Sequence, residues 1–313
     1  MIMTGIYIIG ATGNIGSAVY NRLVKEGVNV IPLVRKKSGL KNEIVCDFSP
    51  TALQKALRDA RIVINTAGSV KTYDKNELEK ANVGLVKSIV EAVPKKAKII
   101  HASSISVYGK RVLQKPVVET TPINPDSDYA ISKYNAEKIL AAHPNTVILR
   151  IGTVYSPSED YARILERIKK GKMYVIGDGK NVIPFVHIDD VANAFYIALK
   201  ARAGVYNIVG ERISQSEVYE IAAKELGVEQ PKKHIPFWLA NAAAFFEEKI
   251  AMLQNRKPKI TREHIAILYF DRPFDCSLAR KELGFVPRNA GEGVREVIRE
   301  TIKAFQQKFC RYK

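Results

Sequence analysis

The chain has 313 residues, of which 46% are apolar, and its formal net charge is +17 at pH 7. This length suffices for one large two-lobed domain or two moderate domains, and the apolar fraction excludes a globally disordered chain. The three cysteines, Cys46, Cys276 and Cys310, are far apart, and the five histidines form no cluster. These residues therefore predict neither a disulfide framework nor a metal site.

The positive charge raises the hypothesis of a nucleic-acid or anionic-membrane partner. The basic residues fall into short, scattered groups at 35–37, 94–98, 167–172 and 256–259, and no aromatic-rich basic module accompanies them. We interpret this charge as a lysine-rich surface and predict no specific nucleic acid as a partner.

The N-terminal residues run directly into an apolar segment and a glycine turn, without the basic and apolar regions of a secretory signal. The most apolar helical stretch, 237–246, is too short to span a bilayer. We therefore predict a cytoplasmic protein with no membrane span.

In the first half of the chain, apolar runs alternate with amphipathic helical patterns. The apolar runs lie at 5–10, 28–34, 43–47, 61–66, 97–103 and 145–151, and the helical patterns near 14–26, 51–59, 75–92 and 127–142. Continuous apolar runs are typical of buried parallel strands, and their alternation with helices predicts an α/β fold with a doubly wound parallel sheet. A further run at 204–210 is predicted to return to that sheet.

The segment IYIIGATGNIGSAVY indicates what this sheet binds. Gly10, Gly13 and Gly16 follow an apolar strand and open a helix, with the spacing G-x-x-G-x-x-G. Small residues in this setting let backbone N–H groups approach a pyrophosphate at the helix N-terminus. We therefore predict a Rossmann-type dinucleotide site. Its loop residues are Gly10, Thr12, Gly13, Asn14, Ile15 and Gly16.

The second half is mostly helical, with patterns at 158–170, 188–200, 214–227, 236–254, 260–268 and 291–308. We predict an NAD(P)-binding domain of residues 1–150 plus about 187–210. The remaining segments, 151–186 and 211–313, are predicted to form a smaller, mostly helical substrate-binding lobe. Such a lobe would cover the carboxyl ends of the strands, where ligands of this architecture bind.

The end of the second strand distinguishes the two common dinucleotides. An acidic residue there would hold the ribose hydroxyls of NAD, but the sequence reads LVRKKSG. Arg35 and Lys36 suit the 2′-phosphate of NADP, so we predict NADP and keep NAD as the alternative. Further contacts are expected from small or polar residues that follow the third and fourth strands. These are Asp47, Phe48, Ala67 and Gly68.

The stretch DYAISKYNAEK places Tyr129 and Lys133 four residues apart in a helical pattern, hence on one helix face. Taken alone, the pair favours a solvated tyrosine and lysine on a surface helix. Beside a dinucleotide site it predicts a proton-transfer unit.

Together these segments resemble the extended short-chain dehydrogenase/reductase superfamily, the NAD-dependent epimerases and dehydratases, over nearly the whole chain. The resemblance is carried by GATGNIG, CDF, NTAG, ANVG, SSISVYG, YAISK, LRIGTVYSP and DGKNVIPFVHIDDVA. It implies that Tyr129 is the acid/base and that Lys133 binds the nicotinamide ribose and lowers the pKa of the tyrosine. It also implies that Ser104 holds the substrate oxygen, with Ser103 as the alternative, and that Asn82 supports the lysine through water.

Two positions depart from the sugar-nucleotide branch of that superfamily. Thr153 stands where those enzymes usually carry an asparagine that binds the diphosphate, and Ile183 with Pro184 replaces an Arg-Asp pair. Without that arginine a diphosphate loses a charge-assisted contact, although Arg163 or Lys172 would be able to compensate. Thr153 and Val154 remain the predicted substrate contacts.

Segments 232–265 and 274–288 resemble instead the 3β-hydroxysteroid dehydrogenase and dihydroflavonol reductase branch. Four aromatic residues there are candidates to line an apolar pocket: Phe237, Trp238, Phe245 and Phe246. Two alternatives stay open, namely that this stripe forms the core of the lobe or that it makes a shallow membrane contact.

The leading functional hypothesis is an NADP(H)-dependent oxidoreductase that interconverts a secondary alcohol and a ketone on a partly apolar small molecule. The alternative is a nucleotide-sugar epimerase with bound NAD. A third reading is a non-catalytic NADP-binding sensor or RNA-associated protein. The helices predicted near 75–92 and 127–142 resemble those that form the dimer interface in this superfamily, so a homodimer is expected.

Overall fold

The structure, a computed structural model, describes residues 5–71, 74–254, 256 and 258–310, with side chains described as far as residue 304. The strands are β1 Ile6–Ile9, β2 Val30–Val34, β3 Ile44–Val45, β4 Ile62–Asn65, β5 Lys98–Ser104, β6 Thr146–Ile151, β7 Thr153–Tyr155, β8 Val175–Ile176, β9 Val182–Ile183, β10 Phe185–His187, β11 Gly204–Ile208, β12 Ile213–Ser214 and β13 His234–Ile235.

The α-helices are α1 Asn14–Lys25, α2 Pro50–Leu57, α3 Lys75–Leu78, α4 Leu85–Ala92, α5 Asp128–Leu140, α6 Glu159–Lys169, α7 Ile188–Ala198, α8 Gln215–Leu226, α9 Phe237–Leu253, α10 Arg262–Tyr269, α11 Ser277–Leu283 and α12 Ala290–Cys310. A π-helical turn, Glu79–Gly84, joins α3 to α4, and a 3-10 turn, Ile105–Tyr108, follows β5.

The central sheet has seven strands in the order β11-β6-β5-β4-β1-β2-β3, and every neighbouring pair is parallel. Because side chains of a strand alternate between the two faces, Ile6 and Ile8 pack toward α1, whereas Tyr7 and Ile9 pack toward α2, α4 and α5. Both faces are therefore covered by helices. The predicted doubly wound parallel sheet is confirmed, including the return of 204–210.

The C-terminal part of the chain builds two smaller cores beside the sheet. One joins α6, α8 and α12 around Leu165, Tyr219 and Val294, and the other lies between α9 and α10 around Ala244 and Ile265. Residues 274–285 return to the main core, where buried Phe274 and Phe285 pack with the sheet.

The predicted long helices are all present, but α11 and the short strands β7–β10, β12 and β13 were not predicted. Most of these strands have only two or three residues, which is too short for an alternating apolar pattern to show. No helix in the described ranges is long and apolar enough to cross a bilayer.

Candidate active site

The glycine loop after β1 is shaped by two close approaches. Gly10 has φ +93°, and a Cβ on it would lie 2.5 Å from the backbone nitrogen of Ala67. A Cβ on Gly16 would lie 1.9 Å from the carbonyl oxygen of Gly10. Only glycine fits these positions, so the loop can bring its backbone to a ligand.

The start of α1 is open at the same place. Gly13 is the N-cap residue and offers no side chain to the first N–H groups of the helix, while Thr12, Gly13 and Asn14 are exposed. Free N–H groups at a helix N-terminus favour an anion. The cradle thus fits the pyrophosphate of a dinucleotide.

Arg35 and Lys36 lie next to that cradle. Both are exposed after β2, and with Thr12 and Ser38 they line a pocket of about 550 Å³. The far end of the same loop is tied down by Glu43, whose carboxylate accepts the N–H groups of Ser38, Gly39 and Leu40. These bonds hold the pKa of Glu43 below its usual range, with the Ser38 hydroxyl making the largest contribution. The carboxylate of Glu43 is thus engaged by the backbone of its own loop.

Asp47 and Phe48 follow β3 at the same edge of the sheet. The carboxylate of Asp47 accepts a hydrogen bond from the N–H of Ser49 at 2.9 Å and is exposed. Phe48 has φ +64°, a left-handed conformation that is uncommon for a side chain of this size. Ala67 is half-buried and its N–H donates to Asn65. The predicted role of these residues toward an adenine stays a prediction.

Asn82 lies on the π-helical turn, which is a geometry often found at functional sites. Its side-chain oxygen accepts the N–H of Ser69 at 2.7 Å, and its nitrogen donates to the carbonyl of Ser69 and to the hydroxyl of Ser132. The asparagine therefore clamps the loop after β4 to α5. Its direct contacts are with these groups, whereas the predicted water link to Lys133 is untested.

Tyr129 and Ser104 meet at the carboxyl edge of the sheet. Ser104 is the last residue of β5, and Tyr129 is in the first turn of α5, which is capped by Ser127. The two side chains interact, because the Ser104 hydroxyl lowers the pKa of Tyr129 against the effect of burial. Sequence reasoning paired these residues, and the fold brings them together.

Lys133 lies one turn further along α5 and is buried. Its ammonium donates to the carbonyl of Ala102 on β5 and sits 4.0 Å from where a Cβ on Gly68 would be. Burial lowers the pKa of Lys133 from 10.5 to about 8, and the negative charge of Glu137 opposes this shift. His101, buried beneath it, stays neutral because burial and the Lys133 charge hold its pKa well below the usual value.

In the protein without a bound cofactor, the pKa of Tyr129 lies above its usual value, and the lowering expected beside a bound nicotinamide stays a prediction. Burial raises the pKa of Tyr129, the hydrogen bond with Ser104 opposes this, and the charge of Glu263 raises it further. Lys133 is not among the groups that shift it. The protein alone therefore keeps this tyrosine protonated, since the ammonium of Lys133 is turned toward β5.

Ser103, the alternative to Ser104, faces the other way. Its hydroxyl donates to the carboxylate of Glu137, which forms a buried ion pair with Arg150 at 2.7 Å. Arg150 also donates to the hydroxyl of Tyr108 at 2.7 Å, and Tyr108 donates to Asn207. This buried network holds the Ser103 hydroxyl in a structural hydrogen bond with Glu137 of α5.

Sequence reasoning missed a charged cluster on the lobe side of Tyr129. The ammonium of Lys110 lies 2.7 Å from Asp126 and 2.9 Å from Glu263. Arg272 is only 3% exposed, interacts with the charges of Glu263 and Asp126, and has a buried Nε without a hydrogen-bond partner in the described structure. No sequence motif predicted this charged cluster, because its members come from four separate segments.

The predicted substrate contacts Thr153 and Val154 are half-buried on β7. Ile183 is buried on β9, where it pairs with Ile213 of β12, so this position is part of the lobe core. Arg163 is exposed on α6 and pairs with Asp160 at 3.1 Å. The compensating role considered for Arg163 or Lys172 stays a prediction.

Trp238 and Phe246 of the aromatic stripe are 69% and 64% exposed, so these two side chains are not part of the lobe core, and the apolar pocket stays a prediction. Phe237 alone packs inward, stacked on Tyr269 with ring centroids 4.4 Å apart. Apolar periodicity marks a stripe but does not state which side faces the protein.

No group of three or more potential metal ligands lies together in the described ranges. The parallel sheet ends instead in a glycine cradle, with a tyrosine and a lysine on the adjacent helix. This is the class of enzyme that uses a nicotinamide dinucleotide for oxidation and reduction.

The comparisons with known proteins give the family. The model of the NAD dependent epimerase/dehydratase family matches residues 6–209, so the chain belongs to that family and the resemblance is confirmed. The chain is 30% identical to a putative UDP-glucose 4-epimerase of Methanocaldococcus jannaschii over 71% of this chain and 82% of the relative.

Two further comparisons extend over nearly the whole chain. It is 25% identical to the sterol-4-alpha-carboxylate 3-dehydrogenase, decarboxylating, of Bos taurus over 95% of this chain and 91% of the relative. The crystal structure of gox2253 matches with a TM-score of 0.76 at 27% identity, covering 96% of this chain and 99% of that one. The chain is thus an NAD(P)-dependent enzyme of the extended short-chain dehydrogenase/reductase type.

The burial of Lys133 leads to a prediction about the free energy of unfolding. We expect Lys133→Met to be inactive and yet more stable than the native protein at pH 7, by up to about 3 kcal/mol. The unfolded chain holds this proton up to about pH 10.5 and the folded chain only to about pH 8. Native stability therefore rises with pH between these values, and the advantage of the variant shrinks across the same window.

Urea unfolding of both proteins from pH 7 to pH 10.5 measures this difference. Lys138→Met, an exposed lysine of the same helix, is the matched control and should show no such pH dependence. A Lys133→Met protein that is less stable at pH 7, with the pH dependence of the native chain, would contradict the prediction.

Proposed function

We propose that the protein is an NADP(H)-dependent oxidoreductase that interconverts a secondary alcohol and a ketone on a partly apolar small molecule. The observation that carries this proposal is the convergence of Ser104, at the end of β5, and Tyr129, at the start of α5, on the carboxyl edge of the sheet, with Lys133 buried one turn away. The missing arginine at Ile183 and the kinship with a sterol dehydrogenase support an apolar substrate over a diphosphate.

The nicotinamide, when bound, supplies or accepts the hydride. The protein's own groups handle the proton and the orientation. Ser104 holds the substrate oxygen by a hydrogen bond, and the Tyr129 hydroxyl exchanges a proton with the same oxygen. The raised pKa of Tyr129 keeps its hydroxyl protonated in the protein without a cofactor, so the hydroxyl holds the proton that reduction of a ketone to an alcohol consumes.

In this proposal Lys133 orients the cofactor, and Asn82 fixes the loop that the cofactor approaches. The ammonium of Lys133 lies between the Ala102 carbonyl and Gly68, where it faces the loop after β4 that the cofactor would approach. Asn82 fixes that loop through both its side-chain atoms. A ribose hydroxyl beside Gly68 would be within reach of the lysine, so Lys133 would orient the cofactor and add a positive charge near the tyrosine.

The substrate class is tested with an NADPH-linked assay on a panel of ketones, including 3-ketosteroids, run in parallel with UDP-glucose. Reduction of ketones without interconversion of UDP-glucose and UDP-galactose supports the proposal. Epimerisation of the UDP-sugar with no reduction of any ketone would overturn it.

Arg35 is proposed to select NADP. We expect Arg35→Asp to weaken NADP binding at least about tenfold, because a charge-assisted bond to the 2′-phosphate is lost and a like charge replaces it. NAD affinity should stay level or improve, since the new carboxylate can accept the ribose hydroxyls. Fluorescence titration with NADPH and NADH measures both affinities.

The control for that experiment carries the same change of charge elsewhere. Lys95→Asp alters an exposed lysine in the turn before β5, remote from the glycine cradle, and should leave both affinities unchanged. An equal loss of NADPH affinity in the two variants would show that only the net charge matters.

A nucleotide-sugar epimerase remains the second candidate because of Arg272. This arginine is buried near Glu263 and Asp126 with a free Nε, and Glu263 in turn acts on Tyr129. A cation in that position can hold a phosphate or carboxylate of a substrate. The putative UDP-glucose 4-epimerase among the relatives agrees with this reading.

A further inference from the structure

Helix α9 exposes most of its large apolar side chains and buries small ones, which is the reverse of the usual amphipathic helix. The face turned toward the protein is made mostly of small residues, the buried Ala240, Ala244 and Ala251, with Phe237 at its start. The opposite face presents large apolar residues to solvent. They are Trp238, Leu239, Phe246, Ile250 and Leu253, and we call them the α9 outer face. A helix with this pattern leaves most of its apolar surface without a partner in the folded chain.

The acidic residues of the helix lie away from this outer face. Glu247 binds Arg256 at 2.6 Å and accepts the N–H of Lys259, and Glu248 binds Arg262 at 2.8 Å. The negative charges of both carboxylates are thus paired with arginines that follow the helix. On the outer face itself, the only charged side chain by helical position is the exposed Lys249.

Cations also flank both ends of the helix. Lys232 and Lys233 precede it and are exposed, and Lys259 follows it and is exposed. The chain as a whole carries +17. An apolar strip framed by lysines, with its carboxylates paired, is complementary to an anionic lipid surface.

We propose that the α9 outer face docks the protein on an anionic membrane surface, with the helix lying in the interface rather than crossing it. A second copy of the chain is a poorer occupant, because two such faces would bring their lysine rims together. The predicted homodimer uses a different surface, on α4 and α5. This proposal does not depend on the substrate or on the direction of the reaction.

Trp238 is the only tryptophan of the chain and lies on this face, so its fluorescence reports docking directly. Vesicles of phosphatidylcholine with phosphatidylserine should shift its emission to the blue, and brominated lipid should quench it. Vesicles of phosphatidylcholine alone should bind much less, and added salt should weaken binding to the anionic ones.

Phe246→Glu should lower the vesicle partition coefficient by at least about tenfold, because the loss of one buried apolar side chain exceeds 1.4 kcal/mol. Val286→Glu is the matched control, since Val286 is an equally exposed apolar residue outside α9. Both positions are on the surface, and Trp238 remains available as the reporter in both proteins.

Three results would overturn the proposal. One is unchanged Trp238 emission with the protein left in the supernatant after sedimentation of the anionic vesicles. Another is full binding by Phe246→Glu, which would leave charge alone as the cause. The last is a blue shift that needs no vesicles and follows a doubling of mass in light scattering, which would assign the face to a second copy.

Discussion

Tyr129→Phe is expected to lower kcat by about 10²–10⁴-fold, because the substrate oxygen loses its proton donor and acceptor. The ring stays in place at the start of α5, so the affinity for NADPH should remain close to native. The hydroxyl of Ser104 loses its partner but keeps the N–H of Ser106, which it accepts at 3.2 Å. Steady-state kinetics with the best ketone of the panel and a separate NADPH titration measure the two quantities.

Tyr134→Phe provides the control on the same helix. Tyr134 is half-buried and its ring lies beneath the ammonium of Lys138, 5.1 Å from the centroid, so its hydroxyl is remote from Ser104. It should keep native kcat. Ser104→Ala in the Tyr129→Phe background should add little further loss, since groups that act as a unit are not additive. Native turnover by Tyr129→Phe would remove the enzymatic role of this tyrosine.

Much of this fold is visible in the sequence because the signals are local. The strands β1, β2, β4 and β6 are mostly apolar, and helices follow β1, β3 and β4 directly along the chain. The glycine loop can be predicted for the same reason. A Cβ on Gly10 or Gly16 would lie 2.5 Å or 1.9 Å from a neighbouring backbone atom, so glycine is required at both positions. The pairing of Ser104 with Tyr129 needed the family resemblance, because the two residues lie on separate elements.

Other parts of the site have no local signal. Arg272, Glu263, Lys110 and Asp126 come from four segments and meet only when the lobe folds against the sheet. The direction in which the pKa of Tyr129 shifts could likewise not be predicted from the sequence, because it depends on burial and on a carboxylate more than 130 residues away. Long-range contacts of this kind follow from tertiary packing and not from spacing.

Helix α9 shows a different limit. Its apolar residues were readable as a stripe, yet the structure turns alanines inward and leaves the large side chains outside. A pattern analysis assumes that the larger apolar face is the buried one, which holds only when the chain itself supplies the partner. Here Ala240 and Ala244 pack with Ile265 of α10 on the inner side, and Glu247 and Glu248 pair with Arg256 and Arg262.

Arg150→Met is expected to lower the free energy of unfolding by about 3–5 kcal/mol, the usual loss when one member of a buried ion pair is removed. Glu137 is 5% exposed and would keep only Ser103 as a direct partner, so its charge would be left buried. The hydroxyl of Tyr108 would also lose the donor at 2.7 Å. Urea unfolding at pH 7, followed by circular dichroism, measures this change.

An exposed pair and a double variant separate the effect of burial from that of charge. Lys224→Met breaks the exposed pair with Glu220, 2.6 Å apart on α8, and should change stability by less than about 1 kcal/mol. Glu137→Leu combined with Arg150→Met removes both charges and should lose less than the sum of the single variants. A loss below about 1 kcal/mol for Arg150→Met would mean that water reaches the pair.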